Sequence, residues 1–167
     1  MHLDLTPDQE LLRETFHPLR AESGADRVRG AESNGFDPKL WAQLAELGTF
    51  GLRGPEAAGG TGMGLLEAVL IAEQAGRHLA SGPLVEAVVA CGGLASLASE
   101  AARSVLARGI QGEVVVFAPR PADAGRVLVA GGAVARVVVG LDGDALVACE
   151  QECAPPRTGD IGTGAFA

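Results

Sequence analysis

Apolar positions recur at helical spacing through roughly the first 110 residues, and beyond them give way to short β-branched runs. Leu12, Phe16 and Leu19 fall at intervals of four and three, with Leu11 and Thr15 beside them, so one apolar stripe lies along a first helix. Its start is written in Thr6-Pro7-Asp8-Gln9: an N-cap threonine, proline at the first helical position, an acid facing the positive end of the dipole, and glutamine three residues after the cap. Gly24 closes or frays it. A second start signal, Asp37-Pro38, precedes Leu40, Trp41, Leu44, Ala45 and Leu47, with Gly48 as the stop. From Gly48 to Gly64 seven glycines and Pro55 predict an irregular loop needing positive φ or close backbone approach. A third helix runs from about Gly64 to Gly76 with Leu65, Leu66, Val69, Leu70, Ala72 and Ala75, a stripe wide enough for deep burial. After Ser81-Gly82-Pro83, the stretch from Leu84 to about Leu97 is small and apolar nearly all round, which predicts a helix enclosed by others. Glu100 to Arg108 gives a last short helix.

From Glu113 onward the runs Val114 to Phe117, Val127 to Val129, Val134 to Val139 and Ala145 to Cys149 lie between Gly, Pro and Asp turns and predict strands. The fold class is therefore α+β: an amino-terminal all-α helical domain over residues 1–110, then a small, mostly antiparallel β domain over 111–153, with a tail over 154–167.

Composition narrows the function. The chain has 167 residues, 13 Lys plus Arg against 21 Asp plus Glu, and a formal charge of −8. Binding to a phosphate backbone needs clustered cations, so no nucleic-acid partner is expected. Hydrophobic residues make up 47% and charged ones 20%, ordinary globular usage that suggests neither disorder nor a membrane partner. The start lacks a basic segment followed by an apolar one, so no secretory signal is expected. Cys91, Cys149 and Cys153 have no CxxC spacing and suit buried thiols in a reducing cytoplasm.

Local chemistry is sparse. Gly59-Gly60-Thr61-Gly62-Met63-Gly64 before a helix invites a phosphate loop, but it lacks the Gly-Lys-Ser/Thr ending and a preceding strand, and a structural loop is the plainer reading. His2, His17 and His78 lack metal-ligand spacing, so no metal site is expected. Glu67 and Glu73 suit a solvated face, whereas Glu86 inside an apolar helix invites a functional role. No Gly-x-Ser-x-Gly elbow occurs, and no cysteine carries a local histidine signature.

The segment from Gly35-Phe36-Asp37-Pro38 through Leu47-Gly48, then Gly51-Leu52, Pro55-Glu56 and Gly59-Gly60-Thr61-Gly62, resembles the amino-terminal domain of acyl-CoA dehydrogenases in order and spacing. The resemblance extends through Glu67 to Arg77 and Pro83-Leu84, while Leu5 to Leu12 is similar to that family's first helix; together these cover residues 3 to about 110. It implies a helical domain, a middle β domain and a carboxy-terminal bundle, with FAD between the last two. The implied reaction is α,β-dehydrogenation of an acyl thioester, in fatty-acid or steroid side-chain metabolism: a carboxylate takes the α proton while the β hydride passes to the flavin. In such enzymes the helix matching Leu84 to Leu97 lines the acyl cavity. Val85, Glu86, Val88, Val89 and Gly92 are thereby the implied acyl-binding residues, although the apolar ones read equally well as core.

Three departures from the family pattern stand out. Where the family carries Thr-Glu-Pro and a Gly, Ser, Asp cluster against the flavin, this chain has Pro119-Arg120-Pro121-Ala122-Asp123-Ala124-Gly125. The implied cofactor-binding residues are Phe117, Ala118 and Pro119, and Pro119 offers neither hydroxyl nor N–H. Gly125 to Val139 runs straight toward a later strand, so a hairpin of the middle domain is expected to be shortened. The carboxy-terminal bundle that supplies the catalytic glutamate in the family has no counterpart in these residues, so no catalytic residue is assigned. The resemblance therefore implies either part of a flavin-dependent dehydrogenase, with FAD shared with a missing domain or partner subunit, or a noncatalytic degenerate subunit that stabilises a complete homologous partner. Both imply an acyl-CoA or other acyl-thioester substrate in the assembled enzyme, a homologous acyl-CoA dehydrogenase subunit as partner, and an oligomer. An acyl-carrier-protein substrate is disfavoured by the negative charge.

Overall fold

The computed structural model describes residues 4–16, 35–120 and 128–151. Among them are five α-helices: α1 (Pro7–Thr15), α2 (Pro38–Glu46), α3 (Leu65–Arg77), α4 (Leu84–Ala95) and α5 (Glu100–Ile110). Strands β1 (Val115–Phe117), β2 (Val137–Asp142) and β3 (Ala145–Glu150) follow, so the class is α+β. His2, His17, Leu19, Gly24, the stretch from Pro121 to Val127, Cys153 and the residues from Ala154 onward lie outside the described residues.

Helix starts obey their local signals. Thr6 accepts from the Gln9 N–H at 3.3 Å, and the Gln9 side chain accepts from the Thr6 N–H at 3.0 Å, a complete capping box. Asp37 caps α2 by accepting from the N–H groups of Lys39 and Leu40 at 2.9 and 3.1 Å. Gly48 after α2 takes a left-handed φ of 74°. Of the α1 stripe, Phe16 is buried but Leu11 faces solvent.

The glycine loop is a crossing of two backbone arms. The N–H groups of Thr61, Gly62 and Met63 donate to the carbonyls of Gly51, Gly54 and Leu52 at 3.1, 2.8 and 2.7 Å. A side chain at Gly60 would fall onto the Gly54 carbonyl, so the close approach expected of this loop is real. Trp41 joins distant parts of the chain: its indole N–H donates to the Gly112 carbonyl at 2.9 Å, and its ring lies 4.4 Å from that of Phe50 and 5.4 Å from that of Phe36.

The sheet has the order β1-β2-β3. β1 pairs with β2 in parallel, Val115 opposite Val137, and β2 pairs with β3 antiparallel over six positions from Val137–Glu150 to Asp142–Ala145. The antiparallel ladder is thus the longer of the two. Leu128 and Val129 do not form the expected strand, and the run at Val134 becomes strand only at Val137. Gly131, at φ 73°, turns the chain just before, packed so closely on Pro83 that a Cβ would collide with it.

One continuous core, including Leu44, Ile71, Cys91, Leu106, Val115 and Val137, joins helices and sheet. One expectation of burial holds in part and one is overturned. The α3 stripe is buried at Leu70 and Ala75 but not at Leu65, Leu66 and Val69, which are 64%, 49% and 53% exposed. Nor is α4 enclosed: Val85 and Val89 are 54% and 43% exposed, while Leu84, Ala87, Ala90, Cys91 and Leu94 face inward. An all-round apolar helix here buries one face and leaves the other open, with the sheet and α5 covering only the first.

Candidate functional site: an apolar groove between α3 and α4

The exposed faces of α3 and α4 enclose a groove of about 100 Å3. α3 contributes Leu65, Ala68, Val69, Ile71 and Ala72, α4 contributes Leu84, Val85, Val88 and Val89, and the glycine loop contributes Arg53. Small residues keep it open: Ala68 and Ala72 on α3 stand where longer side chains would fill the space. Of the residues predicted from sequence, Val85, Val88 and Val89 therefore line one hollow. Glu86 does not line it; it borders an adjoining hollow with Val85, Leu79 and Gly82. Gly92 carries the Arg53 side chain across it, a Cβ there standing 3.6 Å from Arg53 Cβ and Cδ. Arg53 was not foreseen, because a lone arginine in a glycine loop has no periodic partner to mark it.

The other predicted set, Phe117, Ala118 and Pro119, lies at the end of β1 on the far side of α4. β1 packs where Cys91 faces inward, since Cys91 Sγ and Val115 both close on Gly109. At this strand end the Ala118 N–H is taken, donating to Val139 O at 2.8 Å, and Pro119 has none. For FAD, the cofactor the resemblance implies, Ala118 and Pro119 are a poor fit, because neither offers a free N–H donor.

Two titratable groups have clear causes. The Gln9 side-chain amide donates to Glu67 at 2.8 Å and is the largest influence holding that carboxyl below its usual range, helped by backbone N–H groups of Glu67 and Gly64 against slight desolvation. This contact also fastens α1 to the first turn of α3. Burial pushes the Cys91 thiol up to about 12, so it is an inert core group. Among the described residues no group of three or more His, Cys, Asp or Glu is arranged to hold a metal. No described helix is long and apolar enough to cross a membrane.

Comparison with known proteins bears on the family and the fold. The family model for the acyl-CoA dehydrogenase N-terminal domain matches residues 6–113. Acyl-CoA dehydrogenase IpdE2 of Mycolicibacterium smegmatis is 31% identical over 157 residues, covering 92% of this chain and 48% of that protein. Among solved structures, the Tcur3481-Tcur3483 steroid ACAD variant superposes with a TM-score of 0.73 at 24% identity, over 87% of this chain and 48% of that one. The ChsE4-ChsE5 complex of Mycobacterium tuberculosis gives 0.72 at 22%, over 90% and 49%. An acyl-CoA dehydrogenase of Bacillus anthracis solved with FAD gives 0.70 at 19%, over 98% and 36%. The chain spans about half the length of the IpdE2 relative. With the family domain matched from the capping box of α1 to the turn before β1, the chain belongs to the acyl-CoA dehydrogenase family.

Proposed function

We propose that the chain forms part of, or a subunit of, a flavin-dependent acyl-CoA dehydrogenase, and that the α3–α4 groove is one wall of its acyl-thioester site. The observation that carries this reading is the groove itself: two helices hold aliphatic side chains half exposed, where an isolated domain would bury them. An acyl chain laid along Val85, Val88 and Val89 gains about 0.8 kcal/mol per methylene removed from water. The reaction class is α,β-dehydrogenation of a fatty acyl or steroid side-chain thioester in the cytoplasm. The base and most flavin contacts come from the rest of the enzyme or from a homologous partner subunit, and this chain contributes shape. Val89→Trp would fill the groove and shift chain-length preference toward short thioesters. Unchanged kinetics across a series of short and long thioesters would defeat the assignment.

A second reading, a noncatalytic subunit that stabilises a complete homologous partner, draws support from the strand end, where Ala118 has spent its N–H on Val139 and Pro119 has none. Flavin absorbance separates the two. Yellow protein purified alone rules out the noncatalytic reading, and protein colourless both alone and with its partner rules out the enzymatic one.

A further inference from the structure

Arg53 is the charged member of an otherwise apolar groove lining. Its stem lies flat along Gly92 of α4, where the missing side chain leaves a bed, with Nη1 3.7 Å from the position a Cβ would take. Arg77 is engaged with Glu73 at 2.7 Å, Arg108 with Glu113 at 3.3 Å, and Arg136 with the Gln151 carbonyl at 3.0 Å, while Arg103 and Arg120 are not part of the groove lining. Arg53 has no hydrogen-bond or ion-pair partner among the described residues. A guanidinium so placed offers a fork of N–H donors that matches a carboxylate with two parallel bonds.

We propose that Arg53 recognises a carboxylate carried by the acyl group away from its thioester, so that the groove selects acyl chains with an anionic terminus. This rests on the reading of the groove as an acyl site. The charges along α4 give the groove a direction. Glu86, in its first turn, borders the adjoining hollow, whereas Arg53 lies over Gly92, nearly two turns further on. A carboxylate is repelled from one end and attracted to the other. The phosphates of coenzyme A are a weaker match for this single cation, because a polyanion is held by several basic groups, and the remaining residues lining the groove are uncharged.

The test compares the coenzyme A thioester of a medium-chain dicarboxylic acid with that of its monomethyl ester, identical in length and lacking only the terminal charge. Both are titrated calorimetrically into the protein in its native assembly. The free acid is expected to bind roughly fivefold to tenfold more tightly than the ester, as befits a charge-assisted pair at a partly exposed site. Arg53→Leu should bring the ratio of the two affinities close to one, and Arg53→Lys should keep part of the preference. Equal binding of the two thioesters to the unmodified protein overturns the proposal, as does an unchanged ratio in Arg53→Leu. Equal weakening of both thioesters in Arg53→Leu assigns the cation to the coenzyme A phosphates and also overturns it. Val89→Trp separates this failure from that of the acyl site. If it weakens both thioesters while Arg53→Leu leaves their ratio alone, the acyl site stands and the role of Arg53 falls. If it alters neither affinity, or the unmodified protein binds neither thioester, the acyl site itself fails.

Discussion

Replacing Gly60 with alanine should be the most damaging single-methyl change in the glycine loop. The added methyl would fall onto the carbonyl of Gly54 and lie 2.6 Å from Gly51 O. Neither neighbour can swing aside as a side chain would. Gly54 N–H is bonded to Gly51 O at 2.9 Å and Gly60 N–H to Pro55 O at 3.1 Å, so both arms are pinned. Relief requires the arms to part by on the order of 1 Å, which takes the Thr61–Gly51 and Gly62–Gly54 hydrogen bonds out of range; at about 1 kcal/mol each, plus residual strain, the cost is about 2–4 kcal/mol. Gly59 is the control. It sits at φ 81° with nothing within 4 Å of a built Cβ. Gly59→Ala therefore meets backbone strain alone, about 1 kcal/mol. The assay is urea unfolding followed by the fluorescence of the single tryptophan, Trp41. With a slope of about 1–3 kcal/mol per molar urea, Gly60→Ala should lower the midpoint by roughly 1–2 M and clearly more than Gly59→Ala. Equal midpoints for the two variants would refute the crossing as the reason for glycine at position 60.

Four further outcomes follow from named residues. Trp41→Phe removes the donor to Gly112 O while keeping most of the ring, and should cost about 1–2 kcal/mol in urea unfolding followed by circular dichroism. Cys91, raised to about 12, favours the folded state fully below the unfolded thiol value and loses that contribution as pH rises toward the folded one. Stability should therefore fall by about 1 kcal/mol between pH 8 and 10, and Cys91→Ala should flatten that slope. Thiol reagents at pH 8 should label exposed Cys149 and spare Cys91 until the protein unfolds. Glu67 is depressed, so its bond to Gln9 acts above the ordinary carboxylate range and fades as pH falls through the lowered value. Gln9→Ala should move the Glu67 titration upward in an NMR experiment, and an unmoved titration would show that the bond is not made in solution.

Signals that act over three or four residues were legible in the sequence. Thr6 and Gln9 form the capping box their spacing announces, and Asp37 and Pro38 open α2, because those bonds close within one turn. What depends on distant neighbours was not. Val85 and Val89 have the composition of core residues, and only the placement of α3 beside α4 shows that their face is uncovered. The parallel pairing of β1 with β2 joins residues more than twenty positions apart, a register that no alternation of residue types encodes. Arg53 became visible only when the loop was seen to lay it across Gly92.

β3 shows a different kind of consequence. Among the described residues it has a neighbour on one side only, and most of its side chains are exposed. An open ladder of N–H and C=O groups beside Val147 and Cys149 is a template on which another strand can grow. Asp142 and Asp144 set negative charges at the turn end, which discourage like edges from meeting, whereas Glu150 at the other end is paired with Arg108. The cost of that edge is therefore colloidal: crowding and added salt, which screens those carboxylates, should drive self-association under conditions that leave the fold intact.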